Sequence, residues 1–529
     1  MTLKKMTLEQ KIGQLFLVAV PGTELSNDTK AHIQKHHFGN FIYFTQNLTD
    51  YKSIRRFSDN LQQTVQEANG VPAFISIDQE GGMVARAYSG ATIFPTNMAI
   101  TASGMKCTKK MGKFVADELK RLGININHAP VVDVNNNPKN PVIGIRSYSD
   151  DAKIVAEMAV DYITGLQAGG VMANAKHFPG HGDTDTDSHL ALPSISHDMK
   201  RLNEIELAPF NAAIANGVDS IMTAHIVFKE IDNEHPATLS PKVLTNLLRK
   251  KLKFEGLIIT DCMTMKAIDD NYGMAQGCVM AINAGADILC LCAKPEDQSR
   301  SYNTVLEAAK TGEIPMETID KAVARILEYK EKYATGEIDP PEAHYPDHEK
   351  LANEISRKSI TMHRGRIDKS LFANAFAISP SSARTSAIDN FYNPTLLFSQ
   401  KVGETFGCDH TEISINPTDD EIAEVVIKAG NAELIFFGAY NAKYNTGQQK
   451  LCKALKDAGK EIVVVTLRTP YDITEMWDMG TFISAYEYTE RSVNSIIAAL
   501  VEDEFVGKPP TYLDWGSDLL FENCDREVR

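Results

Sequence analysis

The chain has 529 residues, 43% hydrophobic and 23% charged, with 54 Lys and Arg against 69 Asp and Glu and a formal net charge of -15. That length exceeds a single hydrophobic core and implies two or more domains of ordinary globular composition. The acidic balance excludes nucleic acid and an anionic membrane surface as partners, because both must be met by clustered basic side chains.

Lys4, Lys5, Glu9 and Lys11 interrupt any signal-peptide core near the start, and the apolar run Ile12 to Val20 is too short to span a bilayer. Of the eight cysteines only Cys290 and Cys292 form a tight pair, and the set reads as reduced, mostly buried thiols. These signals together predict a cytoplasmic protein.

Up to about Lys332, short apolar runs alternate with longer amphipathic stretches. Strands are predicted at Leu15–Val20, Asn40–Phe44, Ala73–Ile77, Ile124–His128, Val171–Ala175, Ser220–Thr223, Leu257–Thr260 and Ile288–Cys292. Eight such repeats predict a (β/α)8 TIM-type barrel over residues 1–335, with its active site at the C-terminal strand ends. Several of those ends run into polar groups: Asp78 after the third, Asp133 after the fourth, Lys176 and His177 after the fifth, His225 after the sixth and Asp261 after the seventh. Residues 336–360, with Pro340, Pro341 and Pro346, read as a linker. Beyond it, residues 361–529 predict a smaller open-sheet α/β domain, an αβα sandwich, with strands at Leu396–Ser399, Leu434–Phe437, Ile462–Thr466 and Phe482–Ala485 and helices at Glu421–Lys428 and Gly447–Ala458.

The densest chemistry lies in Lys176 to His189, where Gly and Pro forbid helix and ladder and predict a shaped loop. Asp183-x-Asp185-x-Asp187 opens like a calcium loop, but Ser188 and Ser194 stand where Gly and Glu are needed, and no H-E-x-x-H occurs. No metal and no cofactor are therefore expected. Asp187 and His189, two apart on an extended segment, point the same way, so the carboxylate can orient the imidazole and favour its protonated form. A polar pair capping a turn is the competing reading. Asp261 reads either as a helix N-cap or as a nucleophile at a strand end. Asp78 and Arg86 read as a surface ion pair or as ligand contacts, the latter suggested by Gly81 and Gly82, which permit close approach. Arg146 and His225 are ambiguous taken singly.

Taken together, Asp78-Gln79-Glu80-Gly81-Gly82, Ala129-Pro130-Val131-Val132-Asp133-Val134, Gly144-Ile145-Arg146-Ser147-Tyr148, Lys176-His177-Phe178-Pro179-Gly180-His181-Gly182, Asp187-Ser188-His189 and Thr260-Asp261 resemble family-3 glycoside hydrolases. The Lys-His-Phe-Pro-Gly-His-Gly loop closed by Asp-Ser-His resembles the β-N-acetylglucosaminidase branch. The resemblance covers the whole first domain in order, and the second more weakly through Leu467 to Asp472 and Ala485 to Thr489. It implies Asp261 as nucleophile, His189 as general acid/base with Asp187 as partner, and Asp78, Arg86, Arg146, Lys176 and His177 around the terminal sugar, with His225 near that pocket. The implied reaction is exo-acting, retaining removal of terminal non-reducing N-acetylglucosamine from cell-wall muropeptide or chitin-type oligosaccharides. Cys262 to Lys266 departs from the branch, which more often has small residues there, so pocket shape is expected to differ in detail. A His–Asp dyad repels an incoming anion less than a second carboxylate, which keeps phosphorolysis as an alternative. A non-catalytic sugar-binding protein would lack Asp261 or His189, and both are present. The sequence leaves open whether the second domain completes the pocket, forms a homodimer contact or stabilises the barrel.

Overall fold

The computed structural model describes residues 2–381, 389, 396–476 and 478–513. They divide into two compact units: one takes in residues 2–97 and 105–352, the other 98–104 and the described residues from 353 onward, with 389 in the first. No helix among the described residues is long and apolar enough to cross a membrane.

The first unit is built on β1 (Phe16–Ala19), β2 (Asn40–Tyr43), β3 (Phe74–Ile77), β4 (Ile126–Asn127), β5 (Met172–Phe178), β6 (Ser220–Thr223), β7 (Leu257–Ile259) and β8 (Leu289–Leu291). All pair in parallel, in the spatial order β8-β1-β2-β3-β4-β5-β6-β7. A parallel bridge between Ile259 and Ile288 joins β7 to β8 and closes the cylinder. Asp287 holds that seam: its carboxylate accepts from the Ile258 N–H at 2.8 Å and pairs with Arg325 at 2.7 Å and with Arg249. The strands are buried almost throughout, as expected when helices cover the outer face of a parallel barrel. Those helices are capped by local chemistry. Asp50, for example, accepts the first N–H groups of Tyr51–Asn69, which ends at Gly70 in the left-handed region.

The second unit carries a six-stranded sheet: β9 (Thr361–Arg364), β10 (Ala375–Pro380), β11 (Asp409–Ile413), β12 (Leu434–Ala439), β13 (Glu461–Thr466) and β14 (Thr481–Ser484). Its order is β9-β14-β13-β12-β10-β11, parallel except for β9, which runs antiparallel to β14. One face packs Ile435, Phe437, Val464 and Leu451 into a buried core.

Four expectations are corrected. The fifth strand does not stop at Ala175 but runs through Lys176 and His177 to Phe178, because only at Pro179 is the ladder donor lost. The stretch expected as a linker carries a helix at Pro346–Ser359, with Pro at its first position, acids in its first turn and Arg357 and Lys358 in its last. Leu396–Ser399 is not a strand: Phe398 opens the helix Phe398–Phe406, whose amphipathic pattern outweighs the four-residue apolar run. Strands β10 and β11 went unrecognised, the first because it ends in Ser-Pro and the second because its polar edge sequence Asp-His-Thr-Glu-Ile has no apolar run. The expected second domain extends beyond residue 513, and its tail with Cys524 lies outside the described residues.

Candidate active site

The strand ends gather the chemistry-bearing residues at one mouth of the barrel. Asp78, Arg86, Arg146, Lys176, His177, His189 and Asp261 all line a single pocket there, with His128, His181, Cys262, Cys290 and Cys292 among their neighbours. Asp187 stands behind His189 rather than on the wall. His225 does not reach the wall: it is fully buried, with Nδ1 on Thr238 Oγ1 at 2.8 Å and Nε2 on the Cys262 carbonyl at 3.0 Å. Both nitrogens have protein partners, so His225 braces the segment after Asp261 from behind the pocket wall.

At the base of the pocket lies an ionic chain that sequence reasoning missed. Lys176 Nζ sits 2.7 Å from both Asp78 Oδ1 and Glu80 Oε1, and Arg146 grips Glu80 with two bonds, Nε to Oε2 at 2.9 Å and Nη2 to Oε1 at 2.8 Å. Arg86 Nη2 lies 4.0 Å from the other oxygen of Asp78. Burial raises the cost of every charge here, yet the paired cations overcome it, holding Asp78 well below the usual carboxylate range and Glu80 at about 2. Lys176 and Arg146 are pushed up in turn by those carboxylates against the same desolvation. The only sequence signal for Glu80 was its place in Asp78-Gln79-Glu80, two residues on from Asp78.

Asp133 anchors the loop that follows β5. Its carboxylate accepts from the backbone N–H of His177 at 3.1 Å and of His181 at 2.7 Å, and meets His177 Nδ1 at 2.8 Å. The Lys176–His177 and Phe178–Pro179 peptides are cis. Gly182 lies so close to the Val134 carbonyl that a Cβ there would stand 1.7 Å from its oxygen. Gly81 likewise abuts the backbone of Phe94 and Pro95 at φ +117°, so at that position the chain's own backbone makes a close approach. Beyond Gly182 the three spaced aspartates separate: Asp183 turns to His197, Asp185 to Thr186 and Asp187 to His189.

The acid/base candidate and the nucleophile candidate are electrostatically linked. His189 Nδ1 meets Asp187 Oδ1 at 2.8 Å and its own backbone N–H donates to the same oxygen at 2.9 Å. Burial alone would lower the His189 pKa, but the Asp187 hydrogen bond and the charges of Asp261 and Asp187 raise it. Asp261 is a carboxylate: burial opposes its charge, while His177, His225, His189 and the Cys262 N–H, 2.7 Å from its Oδ1, bring it to about 2. Buried His128 and His181 are pushed down to about 4 and stay neutral. The pocket thus offers an ionised carboxylate on a rigid strand end, a histidine biased toward protonation on a loop, and a fixed set of charged hydrogen-bonding groups between them.

Comparison with known proteins bears on what this arrangement serves. The family model for the glycosyl hydrolase family 3 N-terminal domain matches residues 7–329. Beta-hexosaminidase A of Pseudoalteromonas piscicida is 30% identical over 512 residues, covering 88% of this chain and 86% of that protein. The solved family-3 β-N-acetylglucosaminidase from Paenibacillus sp. str. FPU-7 superposes with a TM-score of 0.90 at 37% identity, over 97% of this chain and all of that one. A β-glucoside phosphorylase shares the fold, at 23% identity and a TM-score of 0.82, over 98% of this chain and 95% of that one.

Proposed function

The chain belongs to glycosyl hydrolase family 3 and is a glycoside hydrolase, and from that premise we propose that it is an exo-acting, retaining β-N-acetylglucosaminidase. The terminal sugar sits among Asp78, Arg86, Arg146, Lys176 and His177. Its substrates are N-acetylglucosaminides of the muropeptide or chitin type. The names of the relatives above support that sugar, and the fixed charged groups support strong discrimination by hydroxyl pattern.

The observation that carries the reading is a carboxylate, Asp261, and a histidine, His189, on the wall of one pocket, with His189 Nδ1 held by Asp187 at 2.8 Å and the Asp261 charge helping the imidazole retain its proton. Asp261 attacks the anomeric carbon while His189 Nε2 protonates the leaving oxygen, Nδ1 being held by Asp187. Once the ester forms, Asp261 is neutral and its charge no longer raises the His189 pKa. The imidazole, having given its proton to the leaving group, then stays neutral, and its free Nε2 accepts a proton from the water that resolves the glycosyl-enzyme. One group serves both half-reactions because the first step removes part of the cause of its protonation.

The test is trapping with a 5-fluoro N-acetylglucosaminyl fluoride followed by peptide mass spectrometry. The label is expected on Asp261, and Asp261→Asn should take none. A label elsewhere, or inversion at the anomeric centre, overturns the mechanism. Because the acid/base is an imidazole rather than a carboxylate, phosphate is a second candidate acceptor. Sugar 1-phosphate formed in phosphate buffer would assign phosphorolysis, and free N-acetylglucosamine alone would exclude it. The same proposal puts its work in a reducing compartment, on the spacing of its eight cysteines in the sequence.

A further inference from the structure

On the pocket wall next to Asp261 lie three thiols that the proposed reaction does not use. Cys290 is on β8 and Cys292 just beyond it, so their side chains share one face of the extended chain. Cys262 follows Asp261 at the end of the neighbouring β7, and the barrel seam brings the two segments together. The Met263 N–H donates to the Cys290 carbonyl at 2.8 Å, and the Cys290 N–H to Thr260 Oγ1 at 3.0 Å. The three Sγ atoms all lie within 4.8 Å of one another, with Cys290 and Cys292 3.6 Å apart. The Cys292 N–H donates to Cys262 Sγ at 3.4 Å, and Thr264 Oγ1 lies 3.0 Å from the same sulfur. Cys262 and Cys292 are partly exposed and all three line the pocket.

These distances match a thiolate cage. With metal–sulfur bonds of about 2.3 Å, sulfurs in a tetrahedral set stand roughly 3.8 Å apart. Thiolate sulfur selects soft and borderline cations over magnesium or calcium. A disulfide would need two of these sulfurs to close to about 2.05 Å, whereas the cation needs sulfurs that now lie within 4.8 Å of one another to draw in by no more than about 1 Å.

We propose that Cys262, Cys290 and Cys292 form a binding site for a soft divalent cation of the Zn2+ or Cd2+ class, with its fourth position open to the pocket. Binding takes three thiols and one divalent ion to a trithiolate complex of net charge -1 with release of three protons, so no oxidant or reductant is involved. Occupation is inhibitory, because Cys262 supplies the N–H that orients Asp261 and the carbonyl that holds His225. A pull on its sulfur displaces both.

The test uses the full-length, reduced protein titrated with Cd2+. An ultraviolet thiolate-to-cadmium charge-transfer band should saturate at one ion per chain, and Cys290→Ser should abolish it. No band at stoichiometric Cd2+, or a band undiminished in a Cys262→Ser, Cys290→Ser, Cys292→Ser triple variant, overturns the site. Wild-type protein gives a second readout that does not depend on a folded variant: Zn2+ should slow alkylation of the Cys262 and Cys292 peptides at least tenfold, and equal rates overturn it. Neither readout needs substrate, so they stand apart from the proposed hydrolysis. Turnover of a β-N-acetylglucosaminide should fall at least tenfold in Zn2+ and return with chelator; turnover unchanged at saturation overturns the inhibitory consequence.

Discussion

Replacing Asp187 by Asn separates the charge of the dyad from its shape. The Asn side chain keeps an oxygen where Oδ1 now accepts from His189 Nδ1 at 2.8 Å, in a site where the two side chains are only 26% and 11% exposed. What is lost is the difference between a charge-assisted and a neutral hydrogen bond, about 1–2 kcal/mol. At 1.36 kcal/mol per tenfold, that is about five- to thirtyfold in rate where protonation limits the first step. The sign of the pH effect follows from the raised His189 pKa: the protonated acid is present at low pH and lost as pH rises through that value. Asn removes the Asp187 charge, weakens the hydrogen bond and leaves burial, which lowers the value, so the basic limb of kcat/KM moves to lower pH. The assay is a pH profile with diacetylchitobiose, whose leaving group needs a proton, beside one with an aryl glycoside. A basic limb in Asp187→Asn at the wild-type position, with equal losses on both substrates, would refute the dyad.

His189→Ala should cost about 10²- to 10⁴-fold on the disaccharide and far less on a nitrophenyl glycoside, and steady-state kinetics showing equal losses would contradict the acid role. Glu80→Gln leaves Arg146 and Lys176 buried without their shared anion and should destabilise the barrel by about 3–5 kcal/mol, read from denaturant melts. The Glu80 carboxyl is depressed, so the stability it contributes is present above its ordinary 4.5 and is lost as pH falls toward about 2. Melting temperature against pH should therefore fall less steeply over that window in Glu80→Gln than in wild type. Gly182→Ala forces a methyl against the Val134 carbonyl and should cost at least about 1–3 kcal/mol together with activity; a fully active, equally stable variant would contradict the close contact.

The barrel was legible because eight buried parallel strands write themselves as apolar runs, each ending in turn residues. Its catalytic candidates were legible for a related reason: Asp78, Asp261 and Lys176 stand where such a run stops. Glu80 was not, since its importance comes from Arg146, which is 66 residues away and adjacent only after folding. His225 misled because a histidine at a strand end looks the same in sequence whether it faces the pocket or, as here, is bonded on both nitrogens behind it. The second sheet was read less well. Its edge strand Asp409–Ile413 is mostly solvated, so no hydrophobic pattern marks it, and a four-residue apolar run at Leu396 cannot by itself distinguish a strand from the start of a helix.

The barrel mouth is built from two kinds of part. Asp78, Lys176 and Asp261 stand at or just past strand ends, and Asp78, Glu80, Lys176 and Arg146 are joined by buried ion pairs, whereas His189 belongs to a surface excursion that leaves the barrel at Gly182 and returns through the short parallel pair of Ser194–Ile195 with Val227–Phe228. Under the proposed function the glycone contacts and the acid/base therefore belong to different stretches of chain. Residues 183–193 are tied back to that fixed part through Thr184 and Ser188, which meet the two ring nitrogens of His181 at 2.9 Å, so on the proposed reading a change of acceptor has to be made around those contacts and around the dyad itself.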